Sequence, residues 1–273
     1  MSQLVSAYGD VISRESRKKI SERYHKITQA VNISFWHTNN DNIHSLYVGS
    51  YGRNTAISTS DIDILVSLPR DKFNAFNDNF GNGQSQLLQA VKNALKISYP
   101  RTDIRADGQV IKVNFYDGMK FEVLPAFRKA NTYFNDSIEG YDYPDSNLGG
   151  NWRATNPKAE QAAIQEKNEA TKKLYRDTCR HMRYIRDSYY SSYHLSGIVI
   201  DSFVYSAMGE WKYSDPGTPT TTQPGDYERS LLAYFKQHNF YGNMSLVSPG
   251  SGQNVDTQTS IECLEKVLTR IVG

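Results

Sequence analysis

Apolar residues recur at helical spacing in the first part of the chain. Within residues 13–35 they fall at every third or fourth position, at Ile20, Tyr24, Ile27, Val31 and Phe35. This spacing places them on one stripe of a helix and leaves the charged residues on the other side. The pattern therefore predicts an amphipathic helix as the first element.

Shorter apolar runs predict strands. Residues 44–49 and 62–66 are rich in β-branched and large apolar side chains, which favour an extended backbone. A second helical pattern covers residues 84–99, and Pro100 ends it. The first hundred residues thus alternate between helix and strand.

The clearest local signal is a β-hairpin. Residues 109–116 and 119–124 are strand-like runs on either side of Asp117-Gly118, a dipeptide that favours a two-residue type I′ turn. Pairing outward from such a turn sets Glu122 opposite Val113. Pro125 is expected to end the second strand, because proline cannot donate a hydrogen bond to a sheet.

A change of pattern divides the chain. Residues 130–157 are rich in Asn, Asp, Gly and Tyr without a sustained period, which predicts a long loop. Helical patterns follow over residues 158–190, 196–209, 226–239 and 256–272, with Asp226 as an N-cap and a surface loop at 214–225. We therefore expect two domains, residues 1–155 and a helical domain over residues 156–273.

Composition excludes several classes of protein. A net charge of +2 and a pI near 8.3 give no strong signal for nucleic-acid binding. The two cysteines, Cys179 and Cys263, lack the partners that a disulfide framework or a zinc site requires. No leader or membrane-spanning segment is apparent, so we expect a soluble protein in the reducing cytoplasm.

Candidate chemistry is concentrated at the second predicted strand. Alternation along this strand puts Asp61 and Asp63 on one face and Ile62 and Ile64 on the other. Eleven residues before Asp61, Gly49-Ser50 begins a small-residue turn whose N–H groups and hydroxyl can bind a phosphate. The alternative reading of the two aspartates is a solvated strand face.

Glu122 offers a third carboxylate. Its neighbours Phe121 and Val123 are expected to face the core, so Glu122 faces the other way. Asp117 is its rival, but the hairpin turn removes Asp117 from the strand face. Three carboxylates suit a pair of Mg²⁺ ions, for which Mn²⁺ can substitute, and two such ions support phosphoryl transfer.

These motifs resemble a known superfamily. Gly49-Ser50, then Asp61-Ile-Asp63, then FEVLP at residues 121–125 look like the signature of polymerase-β-like nucleotidyltransferases. More narrowly, YVGSYGRNTAISTSDIDILV at 47–66, GQSQLLQAV at 83–91 and YPRTDIR at 99–105 resemble the bacterial cGAS/DncV-like nucleotidyltransferases, or CD-NTases. The resemblance extends through CRHMRYIRD at 179–187 and GIVIDSFVY at 197–205.

The resemblance implies a fold and an activity. The fold is α+β, a mixed sheet with flanking helices plus a C-terminal helical domain, with the active site in the cleft between the lobes. The activity is the joining of ATP, alone or with GTP or another nucleoside triphosphate, into a cyclic di- or trinucleotide that signals in anti-phage defence (CBASS). A HORMA-like or ubiquitin-transfer-like protein is an expected regulatory partner.

The resemblance also implies roles for individual residues. Asp61 and Asp63 would hold both metal ions, and Glu122 would hold the catalytic one and help deprotonate the attacking hydroxyl. Gly49 and Ser50 would bind the donor triphosphate. The further candidates for substrate binding are Arg53, Lys173, Arg180 and Arg183, with Arg183 favoured; the alternative for those on the helix is a solvated surface.

Some features depart from the family or leave alternatives open. Many relatives have Asp as the third acid where this chain has Glu122. The zinc module of the vertebrate relative is missing, because no Cys/His cluster exists. Two other functions remain: transfer of AMP to RNA or to a protein partner, and a catalytically silent nucleotide-binding regulator.

Overall fold

The chain forms two compact units. The computed structural model describes residues 5, 11–79, 81–129, 140–215, 217 and 222–273. The sheet unit consists of Ser13–Gly52 and Asp61–Pro157, and the helical unit consists of Arg53–Ser60 and Lys158–Gly273 with the described residues among the first twelve. Both units are discontinuous in sequence, and the predicted division into residues 1–155 and 156–273 stays a prediction.

The sheet unit begins with helix α1 and alternates between helices and strands. Its helices are α1 (Arg14–Val31, continued by a π-helical turn at Asn32–Trp36), α2 (Gly49–Gly52), α3 (Phe73–Asn77) and α4 (Gly83–Ser98). Its strands are β1 (Ser45–Tyr47), β2 (Ile62–Leu68), β3 (Asp103–Asp107), β4 (Val110–Asn114), β5 (Lys120–Arg128), β6 (Tyr141–Asp145) and β7 (Asn151–Thr155).

The described strands of this unit form one mixed sheet. The order is β1-β2-β5-β4-β3, and β6 pairs with the far end of β5 and with β7. Strands β2 and β5 are parallel, and the other pairs are antiparallel. The parallel pair therefore lies in the interior of the sheet.

The hairpin between β4 and β5 differs from the prediction by one residue. Phe115 N–H donates to Met119 O and Gly118 N–H to Phe115 O, both at 3.0 Å, and only Gly118 of the loop has a positive φ, +84°. This is a three-residue loop, a type I turn followed by a left-handed glycine, rather than a type I′ turn. The register shifts accordingly, and Glu122 pairs with Lys112 instead of Val113.

Strand β5 also continues past Pro125, contrary to the prediction. Along the edge of β5 that faces β4 and β6, the β4 pairing ends at Val123 and the β6 pairing starts at Phe127. Among the described strands, none pairs with Pro125 on that edge, so a missing N–H removes no ladder bond there.

The region predicted as a long loop contains another hairpin. Strands β6 and β7 pair over their full length, from Tyr141↔Thr155 to Asp145↔Asn151. Arg153 forms an ion pair with the buried Asp145 at 2.6 Å, and Trp152 packs on Phe127 of β5. These tertiary contacts stabilise strands whose composition resembles that of a loop. Residues 130–139 lie outside the described residues.

One face of the sheet forms the main core of this unit. Ile62 and Ile64 of β2 and Phe121 and Val123 of β5 are buried there, and α1 and α4 pack on these strands. The stripe predicted for α1 is confirmed, since Ile20, Ile27 and Val31 are buried. The alternate residues of β2 and β5 lie on the opposite face.

The helical unit contains α5 (Pro157–Ala170), α6 (Leu174–Tyr189), α7 (Gly197–Ala207), α8 (Asp226–His238), α9 (Ile261–Val272) and the short pair β8 (Leu246–Val247) and β9 (Asn254–Val255). Apolar side chains of α6 to α9 form its core. In the described part of the chain, no helix combines the length and the apolar character required to cross a bilayer.

Three predicted helix boundaries in this unit are wrong. The helix predicted over residues 158–190 is two helices, because Lys172 and Lys173 adopt left-handed φ values of 53° and 78°, and lysine gives no sequence signal for such a break. Gly225 rather than Asp226 is the N-cap of α8, and the Asp226 carboxylate accepts from Gln223 N–H. The last helix begins at Ile261, five residues later than predicted. The predicted loop at 214–225 lies partly outside the described residues.

The hairpin loop yields a stability prediction. Gly118→Ala should lower the free energy of unfolding by about 1–2 kcal/mol, because a β-carbon disfavours the left-handed backbone of Gly118. Urea unfolding measures this change. Tyr116→Ala, at a side chain 99% exposed in the same loop, is the control and should cost less than about 0.5 kcal/mol. Equal losses in the two variants would contradict the assigned turn.

Candidate functional site

The parallel pairing of β2 and β5 brings two of the predicted acids side by side. Asp63 and Glu122 are partners in register, so their side chains leave the sheet on the same face. Both side chains are half-buried. Asp61 comes two residues before Asp63 and is exposed immediately before β2 begins. The structure thus gathers the three predicted carboxylates at one end of one sheet face.

The turn at Gly49 lies directly against Asp63. Val48 N–H donates to Asp63 O at 2.9 Å, and Gly52 N–H closes the turn on Val48 O at 2.9 Å. Gly49 has a φ of +58°, and a β-carbon added to it would lie 1.8 Å from Asp63 Oδ2. Only glycine therefore fits here, and Ser50 follows it within the single turn of α2.

The surroundings of Glu122 shift its pKa. Burial raises the pKa of Glu122, the nearby Asp61 carboxylate raises it further, and the Lys112 ammonium opposes both effects. Lys112 is the cross-strand partner of Glu122, and its Nζ lies 2.5 Å from Asp107 Oδ2. Even with this lysine present, the site has an excess of negative charge.

Sequence reasoning did not identify Lys112 or Asp107. The signal that could have found Lys112 is the hairpin register, because a three-residue loop places Lys112 opposite Glu122. Asp117, the rival third acid, has a structural role: its two carboxylate oxygens accept from Arg23 at 3.0 and 2.8 Å.

The donor chemistry of the site fits a hard divalent cation. In the part of the chain that the structure describes, no three His, Cys, Asp or Glu side chains converge closely enough to ligate one ion in this conformation. The carboxylates of Asp61, Asp63 and Glu122 are nevertheless the oxygen ligands that Mg²⁺ prefers. Burial is the largest cause of the raised pKa of Glu122, and the nearby Asp61 carboxylate adds a like charge that a bound cation would neutralise. The two-ion site stays a prediction.

Two of the predicted substrate-binding arginines lie inside the helical unit. Arg183 is 1% exposed, and its Nη1 donates to Asp201 Oδ1 at 2.7 Å. Arg53 Nε donates to Asp201 Oδ2 at 2.8 Å, and its Nη1 lies 3.3 Å from Glu160. Burial alone would raise the pKa of Asp201, but the two guanidinium groups outweigh it and hold that pKa below its usual range.

The other two basic candidates differ in exposure. Arg180 is buried, and its Nη2 donates to Asn54 Oδ1 at 3.1 Å. Lys173 is exposed in the left-handed break between α5 and α6. The structure therefore brings Arg53, Arg180 and Arg183 together within the helical unit, whereas the three acids and the Gly49 turn belong to the sheet unit.

Comparison with known families identifies the chain. The model of the Second Messenger Oligonucleotide or Dinucleotide Synthetase (SMODS) domain matches residues 6–168. This match covers more than half of the sequence and includes Ser50, Asp61, Asp63 and Glu122. The chain belongs to the SMODS family. The predicted relation to CD-NTases is confirmed, and the protein is a nucleotidyltransferase of that type.

Solved structures confirm the fold predicted for this SMODS protein. A STING-associated CdnE c-di-GMP synthase from Capnocytophaga granulosa shares 17% identity, with 98% of this chain and 83% of that chain covered and a TM-score of 0.66. The Elizabethkingia meningoseptica CdnE cyclic dinucleotide synthase, solved with GTP and Apcpp, also shares 17% identity, over 97% and 93% of the two chains, with a TM-score of 0.61.

A third similar structure contains a protein partner. CdnC from E. coli MS115-1, solved in complex with HORMA-deltaN, shares 13% identity over 94% of this chain and 84% of that chain, with a TM-score of 0.58. At such identities these structures establish the fold alone. No curated protein sequence matches this chain.

Gly49→Ala should disable the site of this SMODS protein. The new β-carbon would displace the Asp63 carboxylate, and we expect nucleotidyl transfer to fall by about 100-fold, because displacements near 1 Å have effects of this size. Transfer from labelled nucleoside triphosphates measures the loss. Gly118→Ala has the same left-handed strain with no atom within 4 Å of its β-carbon, and it should keep near-normal turnover. If Gly49→Ala and Gly118→Ala lost nucleotidyl transfer equally, a clash between the new β-carbon and Asp63 would not be the cause.

Lys112→Met should raise the pKa of Glu122 further. The substitution removes the main positive charge that lowers this pKa, so Glu122 should bind its proton at higher pH than in the wild type. Carbon-13 NMR titration of the Glu122 carboxyl without divalent cations measures the shift. Lys120→Met removes a weaker cationic effect and should raise the pKa less. An unchanged or lowered pKa in Lys112→Met would exclude this coupling.

Proposed function

We propose that the protein is a Mg²⁺-dependent synthase of a cyclic di- or trinucleotide, made from ATP alone or with another nucleoside triphosphate. The observation that carries this proposal is the in-register pair Asp63↔Glu122, set beside the Gly49 turn. Carboxylates and a tight turn on one sheet face supply the two parts that phosphoryl transfer needs, cation ligands and a phosphate-binding turn. Family membership supports a second-messenger product.

The three carboxylates would have different roles in the reaction. Asp61 and Asp63 would hold both ions, and Glu122 would hold the catalytic ion. Bound Mg²⁺ would supply neutralisation of the triphosphate charge as the transition state develops. Glu122 has a raised pKa, which makes its carboxylate a better proton acceptor and suits it to take the proton from the attacking hydroxyl.

The reaction we assign is an in-line displacement. The ribose hydroxyl oxygen of one nucleotide bonds to the α-phosphorus of another, the bond from that phosphorus to the pyrophosphate oxygen breaks, and the hydroxyl proton passes to Glu122. Ser50, at the start of the turn held against Asp63, would bind the donor triphosphate. A further displacement of the same kind, within one linear product, closes the ring.

We place this activity in cytoplasmic anti-phage signalling. Nucleoside triphosphates are available there, and Cys179 and Cys263 are free thiols that suit a reducing compartment. A similar fold associated with STING and another bound to a HORMA protein support a signalling role and a HORMA-like regulatory partner. A ubiquitin-transfer-like partner remains the alternative.

The direct test follows label from α-³²P-ATP incubated with the protein and Mg²⁺. A phosphatase-resistant small product should form, and Asp61→Asn and Asp63→Asn should each reduce it by about 100-fold or more, since even the groups that orient metal ligands are worth roughly 10- to 100-fold. Asp103→Asn, at a surface aspartate of β3 paired with Arg105, is the matched control and should leave the product unchanged.

Two outcomes would contradict the proposal. Transfer of label to RNA or to a protein would indicate a macromolecule-modifying transferase. Tight Mg²⁺-dependent ATP binding without turnover, even with candidate partners added, would indicate a silent regulator. Mass spectrometry of the product would identify the bases and the ring size.

A further inference from the structure

The segment Arg53–Ser60 connects the two halves of the proposed site. It follows the Gly49–Gly52 turn directly and ends immediately before Asp61. By its contacts, however, this segment belongs to the helical unit. The backbone that joins Ser50 to Asp61 is therefore held by side chains outside the sheet that carries the acids.

Hydrogen bonds fix this segment at three places. Near its start, Arg53 Nε and Thr55 Oγ1 both donate to Asp201 Oδ2, at 2.8 and 3.0 Å. Asn54, held in the left-handed region with a φ of 61°, accepts from Arg180 at 3.1 Å. Near its end, Thr59 Oγ1 donates to an oxygen of Asp187 at 2.6 Å.

Asp201 is the rigid centre of these contacts. It lies in α7 with no exposed surface, and its other carboxylate oxygen accepts from Arg183, which also donates to Gly197 O at 2.9 Å. A buried carboxylate between two guanidinium groups cannot lose a partner without leaving charge uncompensated. The position of Asp201 is therefore fixed, and Asp201 fixes Arg53 and Thr55 in turn.

We propose that Asp201 and Thr55 are positioning residues for nucleotidyl transfer, which hold the backbone segment that joins Ser50 to Asp61. This inference rests on the proposed function of those two residues. Neither Asp201 nor Thr55 is assigned a contact with substrate; they act through the backbone. The same hydrogen bonds give Arg53, Arg180 and Arg183 a shared structural role, because all three help to anchor this segment.

If the buried hydroxyl of Thr55 only stabilised the fold, removing it would affect turnover no more than removing another buried hydroxyl of the helical unit. Thr178 provides that comparison. Thr55 and Thr178 are both 0% exposed, and both hydroxyls donate a hydrogen bond inside the helical unit. Thr178 Oγ1 donates to Leu174 O within α6 and contacts Tyr227 Oη, and neither partner belongs to the segment. Valine at either position removes one buried hydroxyl and keeps the side-chain shape.

The experiment compares Thr55→Val, Thr55→Ser and Thr178→Val in the full chain. All should fold, because each change is small, and the two valine variants should lose similar thermal stability. We expect kcat to fall about tenfold or more in Thr55→Val, to stay within about twofold in Thr178→Val, and to be largely restored in Thr55→Ser. Hydrogen exchange of residues 49–61 should accelerate in Thr55→Val and not in Thr178→Val.

Three outcomes would contradict the positioning role of Thr55 and Asp201. Equal effects on kcat in the two valine variants, failure of serine to restore turnover, or faster exchange with unchanged kcat would overturn the positioning role. If the wild type forms no product even with candidate partners added, the proposed function fails. In that event Mn²⁺ affinity decides the inference, since a displaced Asp61 should weaken Mn²⁺ binding in Thr55→Val relative to Thr178→Val.

Discussion

The site depends on the parallel pairing of β2 with β5. Burial of Ile62 and Ile64 against α1 and α4, together with Phe121 and Val123, fixes which face of each strand is apolar. Because side chains alternate along a strand, the same register brings Asp63 and Glu122 side by side on the opposite face. A slip of one residue would turn a carboxylate into the core, so the hydrophobic core enforces the geometry of the polar site.

The carboxylates of Asp61, Asp63 and Glu122 place like charges on one sheet face, and this proximity does not stabilise the fold. Burial and the nearby Asp61 carboxylate raise the pKa of Glu122, and the Lys112 ammonium on the neighbouring strand opposes this shift only in part. The close approach of Gly49 to Asp63 adds a left-handed backbone that no other residue would adopt without strain. Features that disfavour the folded state by themselves, gathered on one sheet face, are typical of a functional site.

The buried charges around Asp201 in the helical unit, in contrast, are of opposite sign and offset one another. Asp201 and its two arginines are paired, hydrogen-bonded and withdrawn from solvent, so their charges stabilise one conformation and leave little capacity to bind a ligand. The sequence predicts that both arginines bind substrate, and for Arg183 it leaves a solvated helix surface as the alternative. Their burial around Asp201 favours a third role, in which positive charge fixes a backbone segment between two site residues.

The sequence by itself determined the elements that local patterns encode. The stripe on α1, the alternation of Asp61 and Asp63 with isoleucines, and the hairpin with its glycine are each specified within a few residues. The spacing from Gly49-Ser50 to FEVLP indicates the nucleotidyltransferase superfamily, and longer runs of sequence indicate the family. What the sequence could not specify depends on contacts between distant residues. Strands β6 and β7 form because Trp152 packs on Phe127 and Arg153 pairs with Asp145, although their composition is that of a loop.

The same limit applies to the site. The register that sets Lys112 beside Glu122 depends on whether the loop has two or three residues, a choice that Asp-Gly leaves open. The burial of Arg183 depends on Asp201, 18 residues away in the next helix. Chain neighbours decide helix, strand and turn, but charge pairing and register are decided by groups that only the folded chain brings together.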